Sequence, residues 1–181
     1  MEFQYRDDKF RELMLYIAQK MEDDPAFGAT VLNKVLFFSD FLAYRILGEP
    51  ITGAVYQKLD YGPAPRRLLP EQKRLEDEHR AVVQPRLRGG RTQRRLVALD
   101  KPNLDLFKGS EIALVDQVIA ALRGHGAVEV SEVSHRASVG WLAVQLHADI
   151  PYGTIFFSPP KSATPSQVDR ARQLAATYGD S

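Results

Sequence analysis

The run from Val31 to Leu47 constrains this chain more than any other. Val31, Leu32, Val35, Leu36, Phe37, Phe38, Phe41, Leu42, Ile46 and Leu47 recur at helical spacing and cover most of the helix circumference. A helix that is apolar all round belongs in the centre of a core. Thr30 is the expected N-cap, Gly48 stands where a left-handed residue closes a helix, and Pro50 blocks continuation. The few polar residues therefore carry extra weight. Asn33 and Asp40 are seven apart and share nearly one face, with Tyr44 one turn further on. A carboxylate there needs partners, because burying it alone is costly. It reads either as an internal hydrogen-bond anchor or as a contact on a binding face.

Other elements follow from spacing and punctuation. Phe10, Leu13, Met14, Ile17 and Met21 give an amphipathic helix over 6–22, broken at Asp23-Asp24-Pro25. Residues 51–59 read as a short extended segment, and Tyr61-Gly62-Pro63-Ala64-Pro65 as a turn. A helix is expected over 66–80, with Pro70 interrupting it or marking its first turn. Residues 81–99 read as a β-hairpin around Gly89-Gly90, pairing Val83 with Leu96 and Val82 with Val97. Pro85 fits only an edge position.

Ser110 with Glu111 starts another helix, which Gly124 ends. The stretch 128–135 fits a strand or a short helix, while 141–147 reads as helix and 155–157 as extended, with a turn at Gly140. Ser158-Pro159-Pro160 reads as a linker. Thr164, Pro165 and Gln167 form a start signal for a last helix over 165–178. The expected architecture is a single α+β domain, mainly helical, with a central buried helix and a small hairpin wing.

Chemistry narrows the function classes. Lys+Arg 24 against Asp+Glu 23 leaves a net charge of +1, so there is no global cationic excess for nucleic acid. Without cysteine there are no disulfides or thiolate metal sites. The charged first residues do not form a signal peptide, and no apolar run reaches bilayer length. A soluble cytoplasmic protein without cofactor or membrane contact is the expectation. His79, His125, His135 and His147 form no close helical pair of the kind that binds zinc. Ser131, Ser134 and His135 are neighbours, but without the elbow of a catalytic serine. No enzymatic activity is expected.

Two constellations remain for recognition. Arg86, Arg88, Arg91, Arg94 and Arg95 load the hairpin with cationic charge. That wing suits solvent, an acidic protein surface or a phosphate backbone. A helix pair followed by a winged hairpin also parallels DNA-binding winged helices. His135 and Trp141 form either a core pair or the edge of a partner groove.

The run Lys34-Val35-Leu36-Phe37-Phe38-Ser39-Asp40-Phe41, then Gly48-Glu49-Pro50-Ile51-Thr52-Gly53, then Tyr56 and Tyr61-Gly62-Pro63, resembles the Panacea domain. This is the SocA-like antitoxin family of toxin–antitoxin systems, also met in proteins of phages and mobile elements. Glu132-Val133-Ser134-His135, Trp141 and Ile150-Pro151-Tyr152 are similar to its C-terminal pattern. Pro70 and the valine-rich stretch from Val128 depart from that pattern. The resemblance implies a Panacea domain over 1–157 and a linker with a C-terminal helix over 158–181. It also implies a non-enzymatic protein that binds and neutralises a cognate toxin encoded next to it. One family branch resembles an adaptor delivering its toxin to an ATP-dependent protease. The motif residues carried over as partner-binding candidates are Asp40, Tyr56, Tyr61, Gly62, Pro63, His135, Trp141 and Tyr152. The alternatives are an adaptor of that kind, or a nucleic-acid-binding regulator using the arginine wing.

Overall fold

The computed structural model describes residues 3–88 and 90–158, together with 166, 169, 170, 172 and 173. Most of the expected linker and last helix therefore lies outside the described residues, as do Gly89 and the side chains of Arg88 and Arg91. In chain order the elements are α1 (Asp7–Lys20), α2 (Ala29–Leu47), β1 (Tyr56–Leu59), β2 (Gly62–Pro65), α3 (Leu68–Asp77), β3 (Ala81–Arg88), β4 (Arg91–Ala98), α4 (Gly109–Leu122), α5 (Ala127–Ala137) and α6 (Val139–Ala143). Two antiparallel hairpins, β1–β2 and β3–β4, are set among the helices. The fold is mainly helical α+β.

The all-apolar helix is the axis of the core. α2 packs against α1, α4, α5, β2 and β4, and Val35, Leu36, Phe37 and Phe41 are fully buried. Its last turn is different: Ile46 is 64% exposed, because Phe38, Leu42 and Ile46 line a shallow apolar groove beside α4. α1 and α4 are tied by a buried ion pair, Lys9 Nζ to Glu111 Oε2 at 2.8 Å.

Register and punctuation explain most of what the sequence anticipates. β3 pairs with β4 as expected, Val82 with Val97 and Val83 with Leu96. Gly48 closes α2 with φ +85°, and Gly124 lies just past α4 with φ +80°. The ambiguous stretch from Val128 is helical, within α5.

Several expectations are corrected. The N-cap of α2 is Gly28, not Thr30, which lies inside the helix. The N-cap of α4 is Lys108 rather than Ser110, with the Glu111 carboxylate accepting the Lys108 N–H at 2.7 Å. Residues 62–65 are a strand rather than a turn. Arg66 N–H donates to Val55 O. By the alternation of an antiparallel ladder, Pro63 and Pro65 then sit where the missing N–H would point outward. The turn itself is Asp60-Tyr61.

The helix expected over 141–147 is only Val139–Ala143, and Gly140 lies inside it. Beyond it the chain is drawn onto β1, with His147 N–H donating to Lys58 O and Lys58 N–H to Ala148 O. Residues 152–156 form a 3-10 turn rather than an extended segment.

Candidate functional site

Two polar residues of the core helix, Asp40 and Lys34, are held in internal knots, whereas the buried Asn33 Oδ1 and Ser39 Oγ have no hydrogen-bond partner among the described residues. The first surrounds Asp40, which is fully buried. Its carboxylate accepts from Thr52 N–H at 2.8 Å, Thr52 Oγ1–H at 2.5 Å and Tyr56 O–H at 2.8 Å. Tyr152 O–H lies 3.4 Å away and donates at 2.7 Å to Ala54 O. There is no cation in this set. Burial pushes the Asp40 carboxyl up from its ordinary range, against the hydrogen bonds that favour its charge. The same burial, with the carboxylate beside them, raises the phenols of Tyr56 and Tyr152. Rings of Phe41 and Tyr152 stack at 4.5 Å and close the knot.

The second knot surrounds Lys34, one turn and a half earlier on α2. Lys34 is 1% exposed. It donates to Tyr61 O at 2.6 Å and Pro63 O at 3.2 Å, on either side of Gly62. Desolvation lowers the ammonium to about 7. Gly62 has φ +96°, and a Cβ there would lie 2.6 Å from Ser134 Oγ and 2.9 Å from Lys34 Nζ. Conformation and space both demand glycine. Ser131 Oγ–H is 3.0 Å from Tyr61 O, which joins α5 to the same turn.

His135 and Trp141 lie beside this turn. Their rings stack at 3.7 Å and 11°. Trp141 Nε1–H donates to Leu59 O at 3.0 Å, and Lys58 Nζ stands 4.5 Å over the indole. His135 Nε2 has no hydrogen-bond partner among the described residues. Burial lowers its pKa, helped by the charges of Lys34 and Lys58.

Above the second knot opens a cleft of about 830 Å³. The start of α2, the Tyr61 turn, α5 from Gly126 to His135, and Thr92, Gln93 and Arg94 of β4 line it. Tyr61 is 75% exposed and Val128 63%. Three sequence-predicted residues from distant segments, Tyr61, Arg94 and His135, meet here. Asp40 and Tyr56 do not reach it: they are internal, and a partner touches neither. Gly62, Pro63 and Trp141 shape the wall behind it, and Tyr152 belongs to the Asp40 knot.

The wing is also less uniform than its sequence. Arg95 is 3% exposed. Its guanidinium donates to the carbonyls of Met21 (2.9 Å), Glu22 and Asp24 (2.7 Å), capping the end of α1. It is a fastener, not part of an exposed cationic surface. Arg86 and Arg94 are exposed. Sequence reasoning missed Lys34, Ser131 and Ser134 as site-shaping residues. The one signal for Lys34 was an ammonium on the apolar helix.

The family model of the antitoxin SocA-like Panacea domain matches residues 32–142. The chain belongs to the SocA-like antitoxin family. The matched Panacea segment runs from the first turn of α2 to α6. It contains Lys34, Asp40, the Tyr61-Gly62-Pro63 segment, the whole wing and the His135–Trp141 stack. Tyr152 and α1 lie outside the matched Panacea span but pack into the same core. No curated protein and no solved structure matches the chain. Among the described residues there is no group able to hold a metal ion, and no helix long and apolar enough to cross a membrane.

Proposed function

We propose that this Panacea domain, spanning 1–157, is a stoichiometric antitoxin that neutralises a toxin encoded beside it by direct contact at the cleft. One observation carries the reading. The cleft gathers exposed Tyr61, Arg94 and Val128 around about 830 Å³, and these three residues lie within the segment that matches the antitoxin family. A cleft walled by an aromatic, an arginine and aliphatic groups has the composition of an interface centre. The two knots beneath supply rigidity, so that partner binding costs little ordering.

The test is co-expression with the neighbouring gene product. The toxin alone is expected to arrest growth, and the wild-type chain to restore it. Tyr61→Ala combined with Val128→Asp is expected to weaken the complex at least about tenfold, or 1.4 kcal/mol, with thermal unfolding unchanged. A neighbour that is harmless alone, or that stays toxic beside the wild-type chain, ends the antitoxin reading. Unaltered affinity in the double variant moves the contact away from the cleft.

A further inference from the structure

The two edges of the wing are built differently. Val83 N–H turns away from β4 and donates to Glu76 Oε1 at 2.9 Å. At the base, Leu99 N–H donates to Arg80 O at 2.8 Å. Bonded and non-bonded pairs alternate along an antiparallel ladder. The pairs Val83–Leu96, Pro85–Arg94 and Leu87–Thr92 therefore point their backbone groups outward.

On β3 that outward edge is closed. The Val83 donor is occupied, Pro85 has no N–H, and α3 packs alongside. These are the devices by which proteins keep an edge strand from pairing with another chain. α1 and α2 also contact β4, but Thr92 and Arg94 are exposed, and among the described residues neither N–H bonds to another element.

The open edge faces the cleft. Thr92, Gln93 and Arg94 are consecutive, and all three line it. Side chains alternate between the two faces of a strand, so three successive residues form a wall only where the strand presents its edge. The opposite wall is α5, with exposed Val128, Glu129 and Glu132.

We propose that β4 accepts a third strand here: an extended segment of the partner protein pairs its main chain with Thr92 and Arg94. The inference rests on the antitoxin reading and specifies how the toxin is held. Two outward N–H and two outward C=O groups fit three or four partner residues, about 10–14 Å of extended chain at roughly 3.4 Å per residue. Main-chain pairing supplies affinity and alternate side chains supply specificity. The segment carries a carboxylate beside Arg94 and an apolar side chain toward Val128 and Tyr61. A nucleic-acid strand is disfavoured, because Glu129 and Glu132 face the space its phosphates would enter.

Hydrogen exchange of the full chain, free and with saturating toxin, tests this. The Thr92 and Arg94 amides are expected to exchange at least tenfold more slowly in the complex. Arg94→Pro, which copies Pro85 on the facing strand, is expected to weaken binding at least tenfold. Arg94→Gln, which keeps the N–H, is expected to cost only a few-fold. A toxin complex that leaves both amides unprotected overturns the proposal and leaves the antitoxin reading standing. So does equal loss in the proline and glutamine variants. If the proline variant does not fold, the wild-type exchange still decides. Protection that grows with the chain's own concentration, or with duplex DNA in place of toxin, also overturns it. Absence of any toxin binding removes both ideas.

Discussion

The Asp40 knot and the wing edge use similar chemistry to opposite ends. Every donor that faces the Asp40 carboxylate finds a partner within the fold, and the carboxylate takes its donors from two segments distant in sequence. Along β4 the outward amides of Thr92 and Arg94 have none among the described residues. Satisfied buried polar networks fix one packing, whereas unsatisfied exposed groups await a partner. Of the signature residues, Asp40 and Tyr56 hold the scaffold, whereas Tyr61 and His135 reach the cleft proposed for recognition.

Breaking the knot has the largest expected effect. Asp40→Ala leaves the buried Thr52 N–H and two hydroxyls without an acceptor. Each buried group left unsatisfied costs about 1–3 kcal/mol, and three together are a large part of a domain's stability. Urea unfolding measures it. The loss of toxin binding is expected to follow unfolding and to vanish under conditions where the variant remains folded. A cost below about 1 kcal/mol would mean that the knot is not what holds Thr52 and Tyr56 in place.

The comparison also explains what was legible in the sequence. The apolar circumference of α2 announced the core, and the hairpin register followed from two residues between facing strands. Asp40 was legible as an anchor because a carboxylate on that helix had to be partnered. Three things were not legible. The prolines of β2 masked a strand, because proline reads as a breaker unless its N–H is known to point outward. The helix after Trp141 was cut short by pairing with β1, a tertiary effect that local periodicity cannot carry. Arg95 and Arg94 are adjacent and chemically identical, and only strand alternation and the carbonyls at the end of α1 tell them apart.

That adjacent pair gives the next test. Arg95→Ala uncovers carbonyls at the end of α1 and empties a buried site. Hydrogen bonds to a charged group contribute about 1.5–3 kcal/mol, so roughly 2 kcal/mol of destabilisation is expected. Arg94→Ala, on the exposed edge, is expected to stay within about 0.5 kcal/mol of wild type while weakening toxin binding. Chemical denaturation and a binding titration on both variants read the contrast. Equal destabilisation of the two would erase the distinction between fastener and recognition edge.

The last effect lies in the second knot and is the smallest per pH unit, where it is read as a slope. Burial depresses Lys34 to about 7, against an unfolded value near 10.4. Between those values the unfolded chain holds a proton that the folded chain has released. Stability from this group therefore rises with pH across that window, by up to about 1.4 kcal/mol per pH unit. Below about 7 both states are protonated and the burial penalty is present in full. Lys34→Met removes the titration while keeping an unbranched apolar stem. The difference in unfolding free energy between wild type and variant should change across pH 7–10 and be flat below 7. A difference that is flat throughout would mean that the ammonium remains charged under the Tyr61-Gly62-Pro63 segment. The lysine would then act on the turn as a permanent cation bound to two carbonyls, and the cleft above it would keep one shape across the whole pH range.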